Sequence, residues 1–252
     1  MKVAAIQHDI VWEDRAATLE HLEPLIKTAA AAGARLAVLT EMFAVGFSMA
    51  TERLAEPPGG PTTQWLQAQA ESHGMWICGT HPEQAPGTDR PANMFVLAGP
   101  GGSLTRYAKI HPFSYTGEHE HLRAGDQTVT VDVEGMRTTP FVCYDLRFAD
   151  TFWGVAAATD LYVIPANWPA ARRHHWRSLL VARAIENQAY VVGVNRVGTG
   201  GKLDYAGDSA IIDPLGETLA TAANAETVLI VDVDPEVVSA TRARYPFMAD
   251  RR

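Results

Sequence analysis

Runs of apolar residues alternate along the chain with stretches whose apolar positions recur at helical spacing. The run "KVAAIQ" (2–7) reads as a buried strand. In "DRAATLEHLEPLIKTAAAAGA" (14–34), Leu19, Leu22, Leu25, Ile26 and Ala29 share one helical face, and Gly33 supplies a C-terminal stop. "RLAVLT" (35–40) is then a second strand that delivers the chain to Glu41. "TTQWLQAQAESHG" (62–74) predicts a helix and "MWICGT" (75–80) a strand. "NMFVLAGPGGSLTRYAKI" (93–110) predicts two strands joined by a glycine-rich turn, and "TVTVDVEGMRTTPFVCYD" (128–145) a hairpin turning at Glu134 and Gly135. Beyond it come a strand ("LYVIPAN"), a long helix ("HHWRSLLVARAIENQAY") and the strand segments "VVGVNRV", "SAIIDPLGETLA" and "TVLIVDV". A last helix starts near Pro235, where proline suits the first turn.

This mixture of hairpins and strand–helix units predicts an α+β fold with helices packed outside sheets, in a single domain over residues 1–252. No internal repeat or linker interrupts it. The longest irregular stretches are 56–61, 81–93 and 111–127, and long loops in compact domains commonly carry function. Composition fits: 252 residues at 47% hydrophobic and 20% charged can bury a full core. A net charge of -8, with no Lys/Arg cluster interleaved with aromatics, argues against nucleic acid and for a small-molecule partner. The N-terminal apolar stretch is too short for a signal sequence, and no run approaches the ~18 residues of a membrane helix. Two cysteines argue against a disulfide framework and fit a reducing cytoplasm.

Candidate chemistry sits where strands end. Glu41 follows "LAVLT", Lys109 ends "SLTRYAKI" and Cys143 ends "TTPFVC". Taken singly, each has a bland explanation: an exposed strand end, a solvated lysine, a small core thiol. Together they are complementary, and carboxyl ends of strands are where ligand sites collect. Cysteine is mostly protonated at neutral pH, so a neighbouring base and a neighbouring cation would each activate it. Glu41 suits the base and Lys109 the cation. The lysine, with the backbone N–H of Tyr144, is also placed to hold an oxyanion.

"LTEMFAVGF" around Glu41, "YAKIHPF" around Lys109 and "VCYDLRF" around Cys143, in that order, resemble the Glu-Lys-Cys triad of the nitrilase superfamily of carbon-nitrogen hydrolases. The resemblance spans nearly the whole chain. It implies a four-layer αββα sandwich, usually paired into a homodimer, that hydrolyses non-peptide amides, nitriles or carbamoyl groups through a cysteine thioester without metal or other cofactor. "CYDLRF" followed by "NWPAARRHHWRSLLVARAIENQAYVVGVNRVG" is similar to the omega-amidase branch, which cleaves the terminal amides of 2-oxoglutaramate and 2-oxosuccinamate. That branch commonly has proline before the catalytic glutamate; here it is Thr40, a change expected to affect loop stiffness more than chemistry. The family's second glutamate corresponds to Glu118, with Glu120 as the alternative. The corresponding long helix (174–190) helps build the dimer seam in the family.

Around these residues, Arg147 suits the distal carboxylate of such a substrate, or else pairs with Asp145 or Asp150. Phe113, Tyr144, Asn167 and Trp168 are candidate pocket walls or rim packing. Other readings compete. His119, Glu120 and His121 in "GEHEHL" offer metal-ligand types, but alternating residues on an extended loop point apart. His111 offers a cysteine–histidine dyad, though nothing else of such proteases is present. "GPGG" (99–102) lacks the ending of a phosphate loop and reads as a hairpin turn, and Cys78 has the surroundings of an inert core thiol. A catalytically silent binding protein on the same fold is the remaining alternative.

Overall fold

The computed structural model describes residues 1–251. The first half of the chain runs β1 (Lys2–Gln7), α1 (Arg15–Ala31), β2 (Leu36–Val38), α2 (Thr51–Leu54), α3 (Pro61–His73), β3 (Trp76–Glu83), β4 (Ala92–Ala98), β5 (Leu104–Ala108) and α4 (Glu118–His121). The second half runs β6 (Val131–Val133), β7 (Met136–Pro140), α5 (Ala149–Val155), β8 (Leu161–Ala166), α6 (Arg173–Asn187), β9 (Tyr190–Asn195), β10 (Val197–Gly200), β11 (Leu203–Ile212), β12 (Thr218–Ala223), β13 (Thr227–Asp232) and α7 (Pro235–Arg244).

These strands form two sheets. One has the order β13-β1-β2-β3-β4-β5, the other β10-β11-β9-β8-β7-β6 with β12 added along β11. The centre of each is parallel, β1–β2–β3 in one and β7–β8–β9 in the other, and the flanks are antiparallel. Successive residues of a strand face opposite sides, and β1 illustrates the result. Val3 and Ala5 join a core shared with Phe141, Val163 and Val192 of the second sheet. Ala4 and Ile6 join one shared with Leu22 and Ile26 of α1 and Leu66 and Ala70 of α3. Burial on both faces is why these strands read as unbroken apolar runs. On the far side α6 lies so close to β9 that a Cβ on Gly193 would sit 2.6 Å from the Leu180 methyls and 3.0 Å from Trp176. The layers are therefore helix, sheet, sheet, helix, the expected αββα sandwich.

Local signals explain most boundaries. Asp14 caps α1 by accepting the Ala17 N–H at 3.0 Å, and Asp234 caps α7 by accepting the Glu236 N–H at 2.9 Å, one residue after which Pro235 fits the first turn. The β6–β7 hairpin turns at Glu134 and Gly135, whose φ of +54° and +87° match a two-residue primed turn. Three expectations near the strand ends need correction. "RLAVLT" is a strand only over Leu36–Val38, and "TTPFVC" stops being a strand at Pro140. The 111–127 stretch contains a helical turn, α4, in place of an extended loop. A short helix, α5, also follows the cysteine segment.

Candidate active site

Glu41 lies just past β2 and is fully buried. Donors from both sheets fix its carboxylate. The Asn93 amide on β4 donates to Oε1 at 2.8 Å, and the Asn167 backbone N–H, just past β8, donates to Oε2 at 2.8 Å. The Asn167 side chain also donates to the Glu41 carbonyl at 2.5 Å. Thr80 aims Asn93 by donating to its Oδ1 at 2.6 Å while accepting the Met42 N–H at 2.7 Å. Thr40, at the position where proline is usual, is tied to His8 at 3.0 Å. His8 Nδ1 lies 2.7 Å from the Asp9 carbonyl, which can only accept, so Nδ1 carries the proton and the Thr40 hydroxyl donates to Nε2. Burial keeps this imidazole neutral by pushing its pKa down to about 4.

Lys109 follows β5 directly, with its side chain 1% exposed. Its Nζ is 2.8 Å from Glu41 Oε1 and 3.0 and 2.8 Å from the two oxygens of Glu118. Glu118 opens α4 and turns fully inward, where it also accepts from Asn93 at 3.2 Å and from the Phe113 N–H. Glu120 is exposed, so of the two alternatives Glu118 is the glutamate beside the lysine.

Cys143 is presented differently from a strand-end residue. It heads a single 3-10 turn, Cys143–Arg147, with φ of +44°, a left-handed conformation that costs a non-glycine residue roughly 1–2 kcal/mol. The carboxylate of Asp145, buried from solvent, holds that turn. It accepts the Val142 N–H at 2.9 Å, the Tyr107 hydroxyl at 2.7 Å and the His111 N–H at 2.9 Å, and pairs with His111 Nδ1 at 2.8 Å. Tyr107 lies on β5 and His111 lies two residues beyond Lys109, so one carboxylate locks the cysteine turn to the lysine segment. The dyad reading of His111 is thereby removed: its ring is committed to Asp145 and stacks on Phe148 at 3.8 Å.

Electrostatics follow from this burial. Desolvation pulls the Lys109 ammonium down, but the negative charges of Glu118 and Glu41 outweigh it and hold its pKa above the ordinary value. Burial, aided by Glu41, pushes Glu118 up against the pull of Lys109. Burial also pushes the Cys143 thiol well above its ordinary value, again with help from Glu41, while Lys109 and the Asn167 backbone N–H oppose it and lose. The lysine thus favours the thiolate, as expected, yet the resting group is a neutral thiol. Cys78 is a second thiol held protonated by burial alone, with no charged neighbour.

Cys143 and Lys109 open onto a partly enclosed cavity. Phe113, Tyr144, Asn167 and Trp168 line it, as do Phe47 and Tyr205, which the sequence reading missed. Arg147 lines it too and is not paired with Asp145 or Asp150. Its guanidinium lies 4.7 Å from the Trp168 ring centre and 5.9 Å from that of Tyr144, and it bonds His175 at 3.2 Å. His119 and His121 are exposed, and among the described residues no three His, Cys, Asp or Glu side chains are grouped to hold a metal ion. Asn93 and Asp145 are the other residues the sequence reading missed in these roles; the available signal was a polar residue inside an apolar strand segment for the first and a charge directly after the cysteine for the second.

The carbon-nitrogen hydrolase family matches residues 2–243, and the chain belongs to that family. Among its relatives, omega-amidase YafV of Escherichia coli is 38% identical over 255 residues, covering 99% of this chain and 96% of its own. The 2-oxoglutaramate amidase of Bacillus subtilis is 30% identical over 254 residues, covering 99% and 97%. A CN-hydrolase superfamily protein of Xanthomonas campestris, solved with an arsenic adduct in its active site, superposes with a TM-score of 0.94 at 36% identity, covering 100% of this chain and 97% of that one.

Asp145→Asn keeps the shape but replaces an acceptor oxygen with a donor facing N–H and O–H donors, and removes charge-assisted bonds worth roughly 1.5–3 kcal/mol each. The variant should unfold at lower denaturant and lose turnover more than substrate affinity, read by urea titration and by separate kcat and KM values.

Proposed function

We propose that this chain is a cysteine-dependent amidohydrolase that cleaves the terminal amide of small 2-oxo acid omega-amides such as 2-oxoglutaramate and 2-oxosuccinamate, releasing ammonia and the 2-oxo dicarboxylate. The observation that carries this reading is a cavity lined by a thiol, by an ammonium that two buried carboxylates hold from behind, and by two guanidiniums, with no carboxylate among its lining residues. Relatives named as an omega-amidase and as a 2-oxoglutaramate amidase support it.

In the proposed reaction Glu41 takes the Cys143 proton as the sulfur attacks the amide carbon. Lys109 Nζ and the Tyr144 backbone N–H hold the oxyanion of the tetrahedral intermediate. Its collapse breaks the carbon–nitrogen bond, and the proton on Glu41 goes to the departing nitrogen, which leaves as ammonia. Water then gives a proton to Glu41 and adds to the thioester; the second collapse releases the acid and returns the proton to sulfur. Glu118 holds Lys109 in place and supplies the second negative charge that keeps it an ammonium. Arg147 pairs with the distal carboxylate, its freedom from any acidic partner among the described residues supporting that role. Phe113, Tyr144, Asn167 and Trp168 shape the pocket.

We read the chain as one such domain that works as a homodimer in the cytoplasm. Ile185 on α6, Leu215 and Phe247 are exposed beside one another, which supports a partner surface there, and both cysteines are free, which suits a reducing compartment. No helix among the described residues is long and apolar enough to cross a membrane.

Ammonia release from 2-oxoglutaramate tests the nucleophile. Cys143→Ala should abolish it while Cys78→Ala, a buried thiol far from any charge, retains most of it in the folded fraction. Equal loss in two folded variants would remove the assignment. Substrate class is tested at Arg147. Arg147→Gln removes a charge-assisted contact worth about 1.5–3 kcal/mol, so kcat/KM for 2-oxosuccinamate should fall roughly ten- to hundredfold while a neutral amide of similar length is largely spared. Equal loss on both would leave Arg147 a structural role.

A further inference from the structure

The cavity holds a second guanidinium. Arg172, just before α6, lines it with Arg147 and Cys143 and takes part in no ion pair among the described residues, whereas its neighbour Arg173 is bidentate to Asp208 at 2.8 and 2.7 Å. Arg172 lies 5.4 Å from the Phe113 ring centre, Phe113 lies 4.6 Å from Tyr144, and Arg147 lies 5.9 Å from the Tyr144 ring centre. Its backbone is fixed as well, since the Arg172 carbonyl accepts the Trp168 indole N–H at 2.9 Å. Two like charges thus face one partly enclosed space with no acid among its lining residues, an arrangement relieved when an acceptor-rich ligand enters.

One carboxylate occupies one guanidinium, because the planar fork matches its two oxygens. A second guanidinium without an acidic partner, lining the same cavity, calls for a second acceptor on the substrate. We propose that Arg172 is a specificity-determining residue that donates to the oxygen on the carbon next to the carboxylate, and that it rejects substrates carrying an ammonium at that carbon. The inference rests on the amidase reading above and deepens it: Arg147 reads the acid, and Arg172 reads the 2-oxo group. Glutamine, with the same length and the same terminal amide, places a positive charge against Arg172 and loses an acceptor.

Three five-carbon amides separate these roles: 2-oxoglutaramate, glutaramate with a methylene in place of the ketone, and L-glutamine. In the native enzyme kcat/KM should fall in that order. Arg172→Gln should lower the value for 2-oxoglutaramate roughly tenfold or more and leave glutaramate within about twofold, as expected for loss of one charge-assisted bond. Arg172→Glu should raise the glutamine-to-2-oxoglutaramate ratio further, with melting temperature monitored in both variants to show that they fold. Equal losses on 2-oxoglutaramate and glutaramate, or no loss on either, would overturn the assignment to Arg172 while leaving the amidase reading intact. A native enzyme that hydrolyses neutral amides alone would overturn the assignment to 2-oxo acid omega-amides, and this inference with it.

Discussion

One ammonium between two carboxylates, all three shut away from water, is the constraint on which the rest of the structure depends. Lys109, Glu41 and Glu118 together carry one negative charge in excess when ionised, and the thiol beside them is neutral. Ionising Cys143 to solvent would put a second uncompensated charge into that buried space, which desolvation forbids. Passing the proton to Glu41 leaves the total unchanged. The proposed chemistry therefore keeps the thiolate out of the resting enzyme and forms it only as the carbon–sulfur bond forms. The charge then moves toward the new oxyanion, which the Lys109 ammonium is positioned to accept.

Holding such a cluster requires the sandwich. Glu41 and Lys109 follow strands of the first sheet, Cys143 heads the turn beyond β7 and Asn167 follows β8 in the second, and Asn167 grips Glu41 from 126 positions away along the chain. Asp145 makes a second link across the sheets, from the cysteine turn to Tyr107 on β5 and to His111 beyond Lys109. The strained φ at Cys143 is sustained by those bonds. Replacing any lone partner of a buried ion cluster typically costs about 3–5 kcal/mol, so site geometry and stability are coupled here.

The sandwich and the reactive residues were legible because both announce themselves locally. Unbroken apolar runs follow from strands buried on two faces, and Glu41, Lys109 and Cys143 each break an apolar pattern at a strand end. What the sequence hid is set by contacts between distant segments. Nothing in "GEHEHL" says which glutamate turns inward; a helical turn buries Glu118 and leaves Glu120 exposed. Nothing beside Asp145 says that its partners are Tyr107 and His111 in place of Arg147. Asn167 read as a wall, and its grip on Glu41 depends on the second sheet's position against the first. Thr40 read as a change in loop stiffness, and its partner His8 lies 32 positions away along the chain.

The proton's path is the point at which the account is most exposed. Alkylation of Cys143 by iodoacetamide at neutral pH, followed by mass spectrometry in the native protein and in Glu41→Gln, measures it without any substrate. If Glu41 accepts the proton as sulfur attacks, the substitution should slow labelling by roughly a hundredfold, the scale of a lost general base. If the resting enzyme instead held a thiolate paired with Lys109, removing the Glu41 charge would stabilise that thiolate, and labelling at an unchanged or faster rate would contradict the account.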